Sequence, residues 1–176
     1  GEQKLIRKLS IAGDGNTCTW QAAQPLGQDA TPFGTLFASY PGSGMRITWQ
    51  QTEGITGIQV GDDFHLGGEG AYNKTGLIKT QYPHIEGIWS FAANMDQVIL
   101  LIRNPRWAIP SYHTFLYEID YAHDWETAYL FLHATFMTRP PQENWIKWRD
   151  YRFYDEVELW CNFIDFYMEN GTQYWM

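Results

Sequence analysis

The sequence predicts an α/β protein: a parallel sheet flanked by helices, ending in an aromatic-rich helical part. Three observations predict it. Apolar runs of strand character occupy residues 35–40, 76–80 and 97–103. Segments with helical spacing of apolar residues lie between and after them. The chain has 176 residues, 44% of them hydrophobic, enough for one domain with its own core.

Residues 5–11 read as a short edge strand, and residues 12–35, with Pro25 and Pro32, as an irregular lead-in. The strand Thr35-Leu36-Phe37-Ala38-Ser39-Tyr40 stops at Pro41-Gly42-Ser43-Gly44. A helix follows from Met45, with Met45, Thr48, Trp49 and Thr52 on one stripe, and Gly54 and Gly57 end it. Residues 59–75, with Gly61, Gly67, Gly68 and Gly70, read as a long loop. The second strand ends before Pro83, and residues 86–94 suggest a short helix. The third strand, 97–103, is almost wholly apolar, the pattern of a central strand covered on both faces. Asn104-Pro105 supplies an N-cap and a first-turn proline for a helix to about residue 121, bent at Pro110. Asp124 caps a further helix to about Met137, and Arg139-Pro140-Pro141 breaks it. Residues 142–170 read as helical, in one piece or two. There is no internal repeat.

Twelve Lys and Arg against twenty Asp and Glu give a net charge of −8, which excludes a duplex nucleic acid as first-choice partner. No membrane segment is expected, since the longest apolar run, 98–102, is far short of the ~20 residues a spanning helix needs. Lys4, Arg7 and Lys8 are not followed by the apolar stretch of a signal peptide. Cys18 and Cys161 show neither metal-ligand spacing nor a redox pair, and two buried thiols are expected rather than a long-range disulfide. Asn73-Lys74-Thr75 and Asn170-Gly171-Thr172 fit the glycosylation pattern and keep a secretory location open.

In parallel sheets ligands sit at the carboxyl ends of the strands, and the unusual polar residues cluster there. Gly42, Ser43 and Gly44, with Met45 and Arg46 opening the helix, form a Gly-rich strand-to-helix turn. Its N–H groups and the positive helix end can converge on one anion. Arg46 in the first turn opposes the helix dipole, a local cost that a bound anion offsets. The ordinary tight βα turn is the competing reading. Arg103 ends the third strand, and Ser111 shares a helix face with Asn104; together they could grip a second anion. A plain ion pair of Arg103 with a carboxylate is the alternative. Lys79-Thr80-Gln81-Tyr82-Pro83-His84 at the end of the second strand puts a cation and an acid/base candidate between the two.

With these residues in view, the sequence resembles the sulfotransferases that use 3′-phosphoadenosine 5′-phosphosulfate (PAPS). The family's Tyr-Pro-x-Ser-Gly loop matches Tyr40-Pro41-Gly42-Ser43-Gly44. Its Arg-Asn/Asp-Pro with a later Ser matches Arg103-Asn104-Pro105 and Ser111. Its Lys-Thr/Ser-His-x-Pro matches Lys79-Thr80-Gln81-Tyr82-Pro83 except at Gln81. The likeness covers residues 35–121. It implies a P-loop nucleotide-binding fold in one domain, residues 1–176, with the cofactor motifs in 35–121 and a helical part in 122–176. The family's basic distal segment is not visible before Met176, so a truncated or divergent domain is expected. The family often has Lys, sometimes Gly or Arg, where Gly42 stands, and its middle-motif His, often the base, is replaced by Gln81, which cannot titrate.

The resemblance implies transfer of a sulfonate from PAPS to a hydroxyl or amine on a glycan, protein or small molecule, leaving 3′-phosphoadenosine 5′-phosphate (PAP). Gly42, Ser43, Gly44, Met45 and Arg46 would hold the 5′-phosphosulfate, and Arg103 and Ser111 the 3′-phosphate. Lys79 and Arg46 would meet the shifting charge. His84 is the preferred base over Asp62, Asp63, His65 and Glu86, because imidazole is the side-chain type suited to proton transfer near neutral pH. No metal is called for. A non-catalytic nucleotide- or glycan-binding module is the alternative. A P-loop kinase is opposed by the missing Gly-Lys-Ser/Thr and by the lack of a magnesium-binding carboxylate at a strand end. The Golgi lumen and the cytoplasm both fit.

Overall fold

The structure, a computed structural model, describes residues 22–30, 34–63, 75–87, 95–122 and 139–170. In chain order the elements are β1 (Thr35–Ser39), α1 (Met45–Thr56), β2 (Val60–Asp62), β3 (Leu77–Thr80), β4 (Gln97–Leu101), α2 (Pro105–Ala122) and α3 (Gln142–Asn170). The strands form one parallel sheet in the order β2-β3-β1-β4. All five residues of β1 are buried, because β3 and β4 flank it. Its register sets Leu36 opposite Ile78 and Val98, and Ala38 opposite Thr80 and Leu100. The α/β class and its parallel sheet are thus as expected.

The core lies between the sheet and two helices. Leu36, Ala38 and Tyr40 from β1 and its end, with Ile78, meet Ala108 and Ile109 of α2 and Phe163 and Tyr167 of α3. Val157, Trp160 and Ile164 pack against this cluster from the side. Residues alternate between the faces of a strand, so Phe37 and Ser39 point to the other face. Burying these aliphatic and aromatic side chains contributes about 1.5–3 kcal/mol each.

Several expectations change. The strand 97–103 is not central: β4 ends at Leu101 and lies at the sheet edge among the described residues, with Ile99 44% exposed. Apolarity marks a strand as coverable but does not say what covers it; β1 takes the centre. The loop assigned to 59–75 contains β2, a three-residue strand that exists only by pairing with β3 (Val60 with Leu77, Asp62 with Lys79). Glu53 Oε1 on α1 accepts the Val60 N–H at 3.0 Å and anchors it. The lead-in is tied down at Gln24, which bridges Ile58. Glu86 and Gly87 stand in turns rather than a helix, and 88–94 lie outside the described residues. Residues 142–170 are one 29-residue helix, not two pieces. Cys161 is exposed on it, not buried. The expected strand at 5–11, the helix from Asp124 and Cys18 lie outside the described residues.

The helix ends follow local chemistry. Gly57, at φ 68°, caps α1 with its N–H on the Glu53 carbonyl, whereas Gly54 lies inside the helix. Thr48, Thr52 and Thr56 each donate their hydroxyl to the carbonyl four residues back, which satisfies them within the helix. Asn104 caps α2: its Oδ1 accepts the Arg106 N–H at 2.9 Å, with Pro105 at the first helical position. Pro110 is accommodated inside α2. No helix among the described residues is long and apolar enough to cross a membrane.

Candidate anion-binding site

The turn after β1 is shaped by two residues. Pro41 and Gly42 (φ 78°) occupy its centre, and Ser43 N–H donates to the Tyr40 carbonyl at 3.1 Å, the features of a type II turn. Gly44, at φ 99°, is the N-cap of α1 and offers no side chain, so no side-chain bond caps the first N–H groups. Ser43 Oγ is buried with no partner among the described residues. A Cβ on Gly42 would run into the Ala108 carbonyl oxygen and lie 2.8 Å from the Tyr112 nitrogen. Helix α2 therefore presses its backbone against the turn. The lysine common at this position in the sulfotransferases that the sequence resembles would have no room here.

Arg103 follows β4 and reaches back to the same turn. Its Nη1 donates to the Gly42 carbonyl at 2.7 Å. Its own carbonyl accepts the Trp160 indole N–H at 3.1 Å, so α3 holds the segment from behind. A guanidinium has five donors, and one such bond leaves others for a ligand. Ser111 is half-buried on α2, next to the Tyr112 nitrogen that faces Gly42. Gly42, Arg103 and Ser111 are thus neighbours. Met45 is buried beneath the start of α1.

The third group stands on β2 and β3. Lys79 pairs with Asp62, and its Nζ lies 4.8 Å over the Trp49 ring. Trp49 Nε1 is buried without a partner among the described residues. The next residue, Thr80, donates its hydroxyl to Asp63 Oδ2 at 2.6 Å. Asp62 closes β2 with the Lys79 ammonium against it. Among the described residues no three His, Cys, Asp or Glu side chains are grouped to hold a metal ion. Burial holds the Arg46 guanidinium below its ordinary value, opposed by the charge of Glu118 on α2.

His84 lies deeper, with its side chain wholly buried. Its Nδ1 accepts the Glu86 N–H at 3.3 Å, which leaves Nε2 as the protonated nitrogen. That nitrogen faces Glu156 Oε2 at 3.4 Å. Tyr40 donates its hydroxyl to the same oxygen at 2.7 Å, and Arg152 Nη2 meets the other at 3.0 Å. Tyr40, His84 and Tyr112 pack edge-on with centroids 5.2–6.2 Å apart, and Tyr112 donates to Glu86 Oε1 at 2.9 Å. Burial would raise the Glu156 carboxyl, but bonds from His84, Tyr40 and Arg152 outweigh it and hold it below the usual range. The Tyr40 hydroxyl is pushed far up by burial and then by Glu156. Both nitrogens of His84 are engaged in this arrangement.

Sequence reasoning missed Glu156, Arg152 and the Asp62–Lys79 pair. A signal for Glu156 existed: it stands about two helical turns before Phe163 and three before Tyr167, on the stripe that is buried. A carboxylate on a buried aromatic stripe needs partners. His65 lies outside the described residues. Comparison of the chain with protein-family models, curated proteins and solved structures finds no match in any of the three.

Proposed function

We propose that the chain is a PAPS-dependent sulfotransferase that moves a sulfonate to a hydroxyl or amine acceptor. One observation carries the reading: the glycine turn, Lys79 and Arg103 stand at or just past the carboxyl ends of three adjacent strands, β1, β3 and β4, and Arg103 bonds directly to the turn. In this reading the backbone N–H groups at the start of α1, from Gly44 onward, and the α1 dipole bind the 5′-phosphosulfate. Arg103 and Ser111 bind the 3′-phosphate. Lys79 and Arg46 offset charge as it moves onto the leaving phosphate.

The acceptor oxygen or nitrogen attacks sulfur in line, the bond from sulfur to the phosphate oxygen breaks, and PAP departs with that electron pair. The acceptor proton goes to a base. His84 can take it only by giving up the Glu86 N–H at Nδ1. Asp62, in contact with Lys79 at the strand ends, is the other candidate. The engaged His84 also favours a second reading, a module that binds the nucleotide without turnover.

Calorimetric titration with PAP tests the site. The parent chain should bind, and Arg103→Ala should weaken binding by about 1.5–3 kcal/mol, as expected for a charge-assisted phosphate contact. Equal affinity of the two proteins overturns the cofactor assignment. Incubation with PAPS and a panel of sugar, phenol and amine acceptors then separates the readings: sulfated product supports the enzyme, and binding without product supports the module.

A further inference from the structure

We infer that Glu156 is a positioning residue for the anion-binding turn, acting through Tyr40. The consequence for ligand binding rests on the proposed reading of that turn; the positioning itself does not. The inference starts from a carboxylate in an unusual place. Glu156 is 0% exposed, on the same face of α3 as the buried Phe163 and Tyr167. Helix packing there does not require a charge, and an apolar residue of similar volume is often at least as stable at such a position. The carboxylate is used instead as a junction. Its Oε2 takes the hydroxyl of Tyr40, the first residue of the turn, and faces Nε2 of His84, four residues beyond the end of β3. Its Oε1 takes Arg152, one turn back on α3. One carboxylate therefore spans the ends of the adjacent strands β1 and β3.

The geometry of the turn depends on where Tyr40 sits, because the Tyr40 carbonyl closes the turn by accepting the Ser43 N–H. The far side of the turn is already fixed by α2 against Gly42 and by Arg103 on the Gly42 carbonyl. Glu156 fixes the near side. With both sides held, the N–H groups of the turn are oriented before any anion arrives, which lowers the ordering cost of binding. Two other polar groups at the junction, Tyr112 and Glu86, bond to each other.

The test uses Glu156→Gln, which keeps the shape but removes the charge, Glu156→Leu, and Tyr40→Phe, each in the full chain. Native-state amide exchange gives the first readout, with no ligand present. Positioning predicts faster exchange of the Ser43 amide in all three variants, while the amides of the β1–β3 and β1–β4 ladders keep the parent's rates. An unchanged Ser43 rate, or an equal acceleration across the sheet that follows a lower Tm, overturns the inference. The second readout is PAP titration. Affinity should fall about tenfold in Glu156→Gln and in Tyr40→Phe, and the double variant should lose no more than either alone. Additive losses, or parent affinity in both, also overturn it. Should Glu156→Leu fail to fold, Glu156→Gln and Tyr40→Phe carry the test. A parent chain that binds no PAP removes the cofactor assignment and leaves the exchange readout to decide the role of Glu156.

Discussion

Gly42 shows how a single position can be fixed by two independent constraints. Its φ of 78° suits the centre of a type II turn, and its missing Cβ lets α2 lie against the turn. Either constraint alone would favour glycine; together they forbid a side chain. Gly42→Ala should therefore destabilise the protein by at least about 1–3 kcal/mol, read as a lower midpoint in urea unfolding. A variant as stable as the parent would mean that α2 does not approach as described. The turn was legible from sequence because Pro-Gly and strand-to-helix glycines carry local backbone information. The pressure from α2 was not, because it joins residues 42 and 108, far apart in the chain. His84 makes the same point. Its position near the strand ends could be read, but its burial and its bond to Glu156, 72 residues away, could not.

Helix α3 does more than cover the sheet. It bonds to the segments that follow β1, β3 and β4: Glu156 to Tyr40, Tyr167 to the Tyr82 carbonyl at 2.8 Å and Trp160 to the Arg103 carbonyl. Between these polar contacts Phe163, 1% exposed, supplies the apolar one. Phe163→Ala should cost about 3–5 kcal/mol from lost transfer energy and the cavity left behind. A loss under about 1 kcal/mol by denaturant titration would show that α3 is not docked through this residue. Helices α1 and α2 were read close to their true bounds because their ends carry their own signals, Gly57 and Asn104-Pro105. The placement of β4 and the existence of β2 were missed for a common reason: strand pairing is set by the partner strand, and no local pattern records it.

Charge and burial together set the pH range of the fold. Burial pushes the hydroxyls of Tyr40, Tyr112 and Tyr167 well above the usual phenol value. Groups raised in the folded state contribute stability below their unfolded value, about 10, and lose it as pH rises beyond. Of the eleven tyrosines, these three should ionise only as the protein unfolds. An absorbance titration at alkaline pH should then show a late phase coincident with loss of circular dichroism. A single smooth phase in the intact protein would contradict their burial. On the acid side, burial holds His113 below its ordinary value, partly offset by its bond to Asn144. Its contribution is full above about pH 6.5 and falls as the unfolded chain takes up a proton that the folded one resists. Glu156 is also held low, so its share is kept until pH falls below the usual carboxylate range. Tm should therefore decline in two stages on acidification. His113→Gln should remove the first stage, and an unaltered profile in that variant would assign it elsewhere.

The order of short-range features was written in the sequence: the parallel α/β class, the strand that became β1, the glycine turn, the caps of α1 and α2, and the residues Gly42, Lys79 and Arg103 at the strand ends. These depend on backbone preferences and on spacings within a few residues, which a linear chain displays. The tertiary structure decided which strand lies in the middle, why position 42 tolerates no side chain, what Lys79 pairs with, and that a glutamate from a distant helix joins Tyr40 to His84. Each of those depends on groups brought together only when burial and hydrogen bonding are satisfied at once, across separations that no local pattern in the chain encodes.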